Sequence, residues 1–141
     1  MMWKTAGLGL FVLLMATAAD AADLTVVING IRNSNGAVAA GIFNSEGSFP
    51  KAQQAFGSFR LRAPPTTASF TVRNLPPGKY AVTAFHDEND NGKLDADPTG
   101  LPTEGYGVSN DARELLAPPQ FAKASFDIGN QDKAITVTLG Y

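Results

Sequence analysis

Residues 85–100 read FHDENDNGKLDADPTG, with an acid or amide at every second place through Asp87, Asn89 and Asn91 and then Gly92. Oxygen-bearing side chains at alternate positions, followed by a glycine that lets the chain bend sharply, are what calcium needs from a short loop. Counting Asp87 as position 1 puts Asn89 at 3, Asn91 at 5, Gly92 at 6, the Lys93 carbonyl at 7 and Asp95 at 9. In that reading Asp87, Asn89 and Asn91 turn toward one point, while Glu88 and Asp90 face away. The pattern departs at position 12, where a bidentate acid is expected and Pro98 stands. Asp97, one place early, or Glu104, further along, is then needed to close the shell. With so few carboxylates, a calcium site here belongs at the weak end of the range, roughly 10⁻⁴ to 10⁻³ M. A second reading needs no ion. Asn91–Gly92 is a favoured pair for a two-residue hairpin turn, and hydrated Asp and Asn are ordinary in loops.

Other reactive groups are few. His86 is the single histidine, and there is no cysteine. One histidine without cysteine cannot furnish the ligands zinc prefers. A hydrolase using Glu104 and His86 can be written down, with Ser109 as a triad serine, but no G-x-S-x-G elbow supports it. The stretch GLPTEGYGVSND places Tyr106 between Gly105 and Gly107. It reads as a small binding surface of His86, Tyr106, Ser109 and Asn110 beside the acidic loop, or as a bulged edge strand.

The elements that must position these residues read mostly as strands. Residues 1–21 are set aside first: a short basic start, an apolar run over Leu8–Met15 and Ala19-Asp20-Ala21 have the layout of a secretory signal peptide. The expected mature chain, residues 22–141, suits one domain with no membrane span, periplasmic or secreted. Without cysteine it has neither disulfides nor a lipid-anchor site. A formal charge of −2 with no basic run argues against nucleic acid and against docking on a membrane surface. Apolar residues recur every second place in LTVVINGI, AVAAGIFN, TASFTVRNL, GKYAVTAFHD, AKASFDIG and KAITVTLGY, separated by Gly, Asn and Pro. That pattern predicts an all-β, single antiparallel β-sandwich of about seven strands. SFPKAQQAFGSF breaks the period and predicts one short helical turn after Pro50, packing Phe49 and Phe56 on the sheet. A rival architecture is a small outer-membrane barrel, suggested by Ile135, Val137, Leu139 and Tyr141 alternating to the chain end.

Two resemblances sharpen this. LPPGKY, over Leu75–Tyr80, resembles the L-x-P-G-x-Y corner of transthyretin-like and collagen-adhesin B-type sandwiches, and implies an immunoglobulin-like fold. HDENDNGKLD followed by GLPTEGYGVSND resembles the bacterial exported family called domain of unknown function 2141. The positions that carry it are His86, Asp87, Asn89, Asn91, Gly92 and Asp95, then Gly100, Pro102, Glu104, Gly105, Gly107, Ser109 and Asn110. The resemblance implies an exported, mostly β domain of unassigned activity, and makes Glu104 a candidate partner of the acidic loop. The expectation is therefore a non-enzymatic binding or structural module for a protein or small-molecule ligand, with calcium as the candidate cofactor.

Overall fold

The computed structural model describes residues 21–141. The expected signal peptide lies outside the described residues except for Ala21. Eight strands follow in order: β1 Ala22–Ile31, β2 Ala37–Phe43, β3 Gly57–Arg62, β4 Thr66–Leu75, β5 Gly78–Asp87, β6 Tyr106–Val108, β7 Phe126–Ile128 and β8 Lys133–Thr138. They form a three-stranded sheet, β4-β1-β8, and a larger sheet, β3-β2-β5-β6, with β7 paired to the start of β5. The two sheets enclose one main core, so the expected β-sandwich is the fold of this chain.

Side-chain alternation explains the packing. Leu24, Val26 and Ile28 of β1 face Val38, Ala40 and Ile42 of β2 and Tyr80, Val82 and Ala84 of β5 across the interior. Pro76 and Pro77 carry the chain from β4 in one sheet to β5 in the other. Tyr80 then points inward and its hydroxyl donates to the Pro76 carbonyl at 2.7 Å, which pins the corner. The opposite face of β5 supports a second, smaller cluster of Phe43, Phe49, Ala81, Tyr106, Val108 and Ala124.

Several expectations need correction. The pairing of β1 with β8 is parallel, whereas the other pairings are antiparallel. The first and last strands are joined through the whole of the other sheet, so no hairpin constrains their relative direction. The helical segment is a single turn, Ala52–Gln54; Phe49 is buried against Phe43, but Phe56 is half-exposed, edge-on to Tyr80. Residues of AKASFDIG divide between a short helix, α1 (Phe121–Ala124), and β7. β3 was not expected, although Phe59 and Leu61 alternate with Ser58, Arg60 and Arg62. The described strands make two open sheets, and an outer-membrane barrel needs a closed ring. Among the described residues no helix is long and apolar enough to cross a membrane.

Candidate functional site

The last two residues of β5, His86 and Asp87, go to opposite faces of its sheet. Period two sends His86 inward with Ala84 and Val82, and Asp87 outward with Phe85 and Thr83. Both are fully buried, which demands partners for every polar atom. The His86 ring binds the Asn35 carbonyl through Nε2 at 2.7 Å and the Tyr141 hydroxyl through Nδ1 at 2.9 Å. A carbonyl only accepts, so Nε2 carries the proton and, in the neutral ring, Nδ1 accepts from Tyr141. The Arg32 guanidinium lies 4.2 Å above the Tyr141 ring and closes this end of the sandwich.

Asp87 organises the loop that follows. Its Oδ1 accepts from the Asn91 N–H at 3.1 Å, and its Oδ2 from the Gly92 N–H at 2.7 Å and from Arg60 at 2.8 Å. Arg60 stands on β3, two strands away, and β2 places only Ala37 and Ala39 between them, so the guanidinium lies across β2 without obstruction. The same guanidinium also reaches Asp90. Burial pushes the Asp87 carboxyl up, but Arg60 and the two N–H groups outweigh it and hold the group below its ordinary value. Glu88 behaves alike: burial raises it, and hydrogen bonds from Arg32 and Asn33 bring it below normal. Glu88 thereby ties the β1–β2 turn to the loop.

Residues 88–105 form one long loop rather than a two-residue hairpin, because the strand after β5 begins only at Tyr106. Inside it, the Thr103 N–H donates to the Asp95 carbonyl and the Asp97 N–H to the Leu101 carbonyl, making a small hairpin of its own. Asp97 caps that turn: its Oδ1 accepts from the Thr99 hydroxyl and the N–H groups of Thr99 and Leu101, with the hydroxyl chief in lowering its pKa. Glu104 is buried and spends both oxygens on the loop, accepting from the Glu88 N–H at 3.0 Å and the Asp95 N–H at 3.1 Å. One carboxylate thus clamps the two ends of the segment. Replacing Glu104 by alanine strands two backbone donors and is expected to cost about 2–3 kcal/mol. Hydrogen exchange at the Glu88 and Asp95 amides should accelerate; unchanged exchange at both would remove Glu104 from the loop's supports.

The residues of the candidate calcium loop are therefore divided. Asn89 and Asn91 converge on Asp95, with amide-to-carboxylate distances of 2.7 and 2.8 Å. Asn89 Oδ1 also accepts from the Asn91 N–H, and Asn91 Oδ1 from the Lys93 N–H. Asp87 turns instead to Arg60 and the loop backbone, Asp97 to its own turn, and Glu104 inward. The Lys93 side chain is exposed. Among the described residues, no three acidic or histidine side chains gather as a metal-binding group.

The second set of expected residues is also divided. Ser109 is buried; its hydroxyl accepts from the Val82 N–H at 3.0 Å and donates to the Ala124 carbonyl at 2.6 Å, riveting β5 to α1. Asn110 donates to the Ser125 and Lys123 carbonyls, holding the same helix. Of the four, Tyr106 lines a cavity and Asn110 is exposed, while His86 and Ser109 are enclosed. Arg60 is the participant that sequence reasoning missed. The alternation of Ser58, Arg60 and Arg62 was the available signal for its strand, but its partner depends on sheet order.

Comparison with known proteins adds one finding. The model of a family described as "Uncharacterized protein conserved in bacteria (DUF2141)" matches residues 26–136. No curated protein and no solved structure matches the chain.

Proposed function

We propose, from the premise that this chain belongs to the DUF2141 family, that it serves as an exported, non-enzymatic binding or structural module. Its 88–105 loop is a rigid, prebuilt feature rather than a catalytic centre. One observation carries this reading. The groups able to do acid–base or nucleophilic work, His86, Glu104 and Ser109, are buried and have their polar atoms engaged by backbone groups or by Tyr141. A general base must reach a substrate proton, and a nucleophile must face a cleft. Export is supported by the leader-like pattern of residues 1–21. The test is a panel of chromogenic esters and glycosides with the wild type and a Glu104→Gln variant. No turnover is expected. Turnover lost in a Glu104→Gln protein of unchanged thermal midpoint would establish the hydrolase instead.

A second reading keeps calcium. Asn89, Asn91 and Asp95 already draw together, and the Asp87 carboxylate accepts the N–H groups of Asn91 and Gly92. An ion there would take oxygens from Asn89, Asn91 and Asp95, together with the Lys93 carbonyl. Arg60 competes with it by placing a fixed positive charge on Asp87 and Asp90. A native-state site at 100 times its dissociation constant adds about 2.7 kcal/mol of stability. Calcium should thus raise the thermal midpoint of chelator-stripped protein, and an Asp95→Ala variant should lose the rise. A flat titration to roughly 10 mM, beyond the range of weak extracellular sites, would leave the loop held by its internal hydrogen bonds alone.

A further inference from the structure

On the outer face of the larger sheet lies an open cavity of about 610 Å³ with a mostly apolar lining. Phe85 and Tyr106 form its floor, Lys93 and Leu94 of the long loop one wall, and Leu116 and Pro118 the other. The size falls within the range of small-molecule sites, roughly 300–1,000 Å³. Two features are costly for a surface with nothing to bind. Leu115 and Leu116, the most exposed large apolar side chains among the described residues, both stand at this cavity. Tyr106 is only 8 % exposed, yet its hydroxyl has no hydrogen-bond partner among the described residues. Every fully enclosed side-chain nitrogen or oxygen there has a partner, so this hydroxyl keeps its access through the cavity. A tyrosine hydroxyl is a donor at neutral pH, and burial pushes the Tyr106 pKa further from that range, up to about 12.

Charge at the mouth selects the complementary group. Glu114 also lines the cavity and its charge reaches the Tyr106 hydroxyl, but it pairs with Lys123 at 3.5 Å and the Arg113 charge acts on that hydroxyl more strongly in the opposite sense. Lys93 is exposed and makes no salt bridge among the described residues, so with Arg113 acting on the Tyr106 hydroxyl the side of the cavity facing that hydroxyl favours a negative group. We propose that this groove binds a small amphipathic carboxylate, its apolar or aromatic body on Phe85 and Leu94 and its carboxylate meeting the Tyr106 hydroxyl and Lys93. The inference specifies what the module binds and rests on the reading of the 88–105 loop as a rigid, non-catalytic wall.

The test uses isotope-labelled protein, residues 22–141, titrated with 4-phenylbutyrate and with 4-phenylbutylamine of matched length. The carboxylate should shift the amides of Phe85, Leu94, Tyr106 and Leu116, and should bind about tenfold more tightly than the amine. Tyr106→Phe should weaken the carboxylate about tenfold, the scale of a hydrogen bond to a charged group. Its thermal midpoint should not move, since the hydroxyl has no internal partner to lose. Lys93→Gln should weaken binding severalfold and flatten its salt dependence. Equal binding of the amine, shifts centred elsewhere, or unaltered affinity in Tyr106→Phe would each overturn the proposal. Hydrolysis of phenylbutyrate esters would instead overturn the non-enzymatic reading while leaving carboxylate binding intact, so the two failures are distinguishable.

Discussion

Gly36→Ala should cost more than about 4 kcal/mol, at the severe end of single substitutions. Gly36 sits in the turn before β2 at φ +64°, pressed against the end of β5. A Cβ there would lie 1.9 Å from the Asp87 carbonyl oxygen and 2.8 Å from that of Glu88. Both obstacles are backbone, so no rotamer change relieves them. Moving the turn away would also break the hydrogen bond from the Ala63 N–H to the Gly36 carbonyl, and would disturb the residues that feed the loop. Gly92→Ala is the control. Gly92 has a similar φ of +79° but nothing within 4 Å of its Cβ position. It should lose only the conformational term, about 1–2 kcal/mol. Urea denaturation of the two variants separates the effects. A Gly36→Ala midpoint equal to that of Gly92→Ala would mean that the close approach does not constrain the fold.

The second large effect is expected at Asp87. Asp87→Ala removes the acceptor of two N–H groups and of Arg60 at a site with no solvent access, at a cost of about 3 kcal/mol. Arg60, partly exposed and still near Asp90, returns to water at smaller cost, so the stranded loop amides dominate. Asp87→Asn is no rescue, because one face of the amide presents a donor to donors. The variant also alters pH dependence with a defined sign. The folded Asp87 pKa lies below the unfolded value of about 3.9. Its contribution is therefore fully present above that value and is lost as pH falls through the folded pKa. Glu88 is depressed in the same sense and adds to the same acid limb. Chemical denaturation between about pH 3 and 7 should show stability falling below about pH 4 in the wild type, and less steeply in Asp87→Ala. Parallel acid limbs would show that Asp87 is not ionised preferentially in the native state.

Much of the fold is legible in the sequence, for a local reason. β1, β2, β4, β5 and β8 each declare a buried face through period-two residues within one short segment. The LPPGKY corner is local too, since proline geometry and an inward tyrosine four residues from its carbonyl partner act within a few positions. The unexpected strand β3 follows a segment whose good helix formers outweighed its alternation. At the site, the alternate spacing predicts that Asp87, Asn89 and Asn91 turn toward one point, whereas Asn89 and Asn91 meet at Asp95. Their meeting point forms without Asp87, because a charge 27 positions earlier, on Arg60, competes for that carboxylate.

By itself, then, the sequence determined an all-β domain of the DUF2141 family, without disulfides, carrying one concentrated polar loop after a central strand. Tertiary structure alone decided what that polarity does. Sheet order set Arg60 across two alanines from Asp87, and the return of the loop brought Glu104 onto the Glu88 and Asp95 amides. It also laid β8 parallel to β1 and left Tyr106 facing a groove between segments far apart in the chain. Local pattern reports which face of a segment seeks burial, because that depends on neighbours two residues away. Which segment it is buried against depends on contacts between distant residues, whose energies emerge only when the sheets close around a shared core.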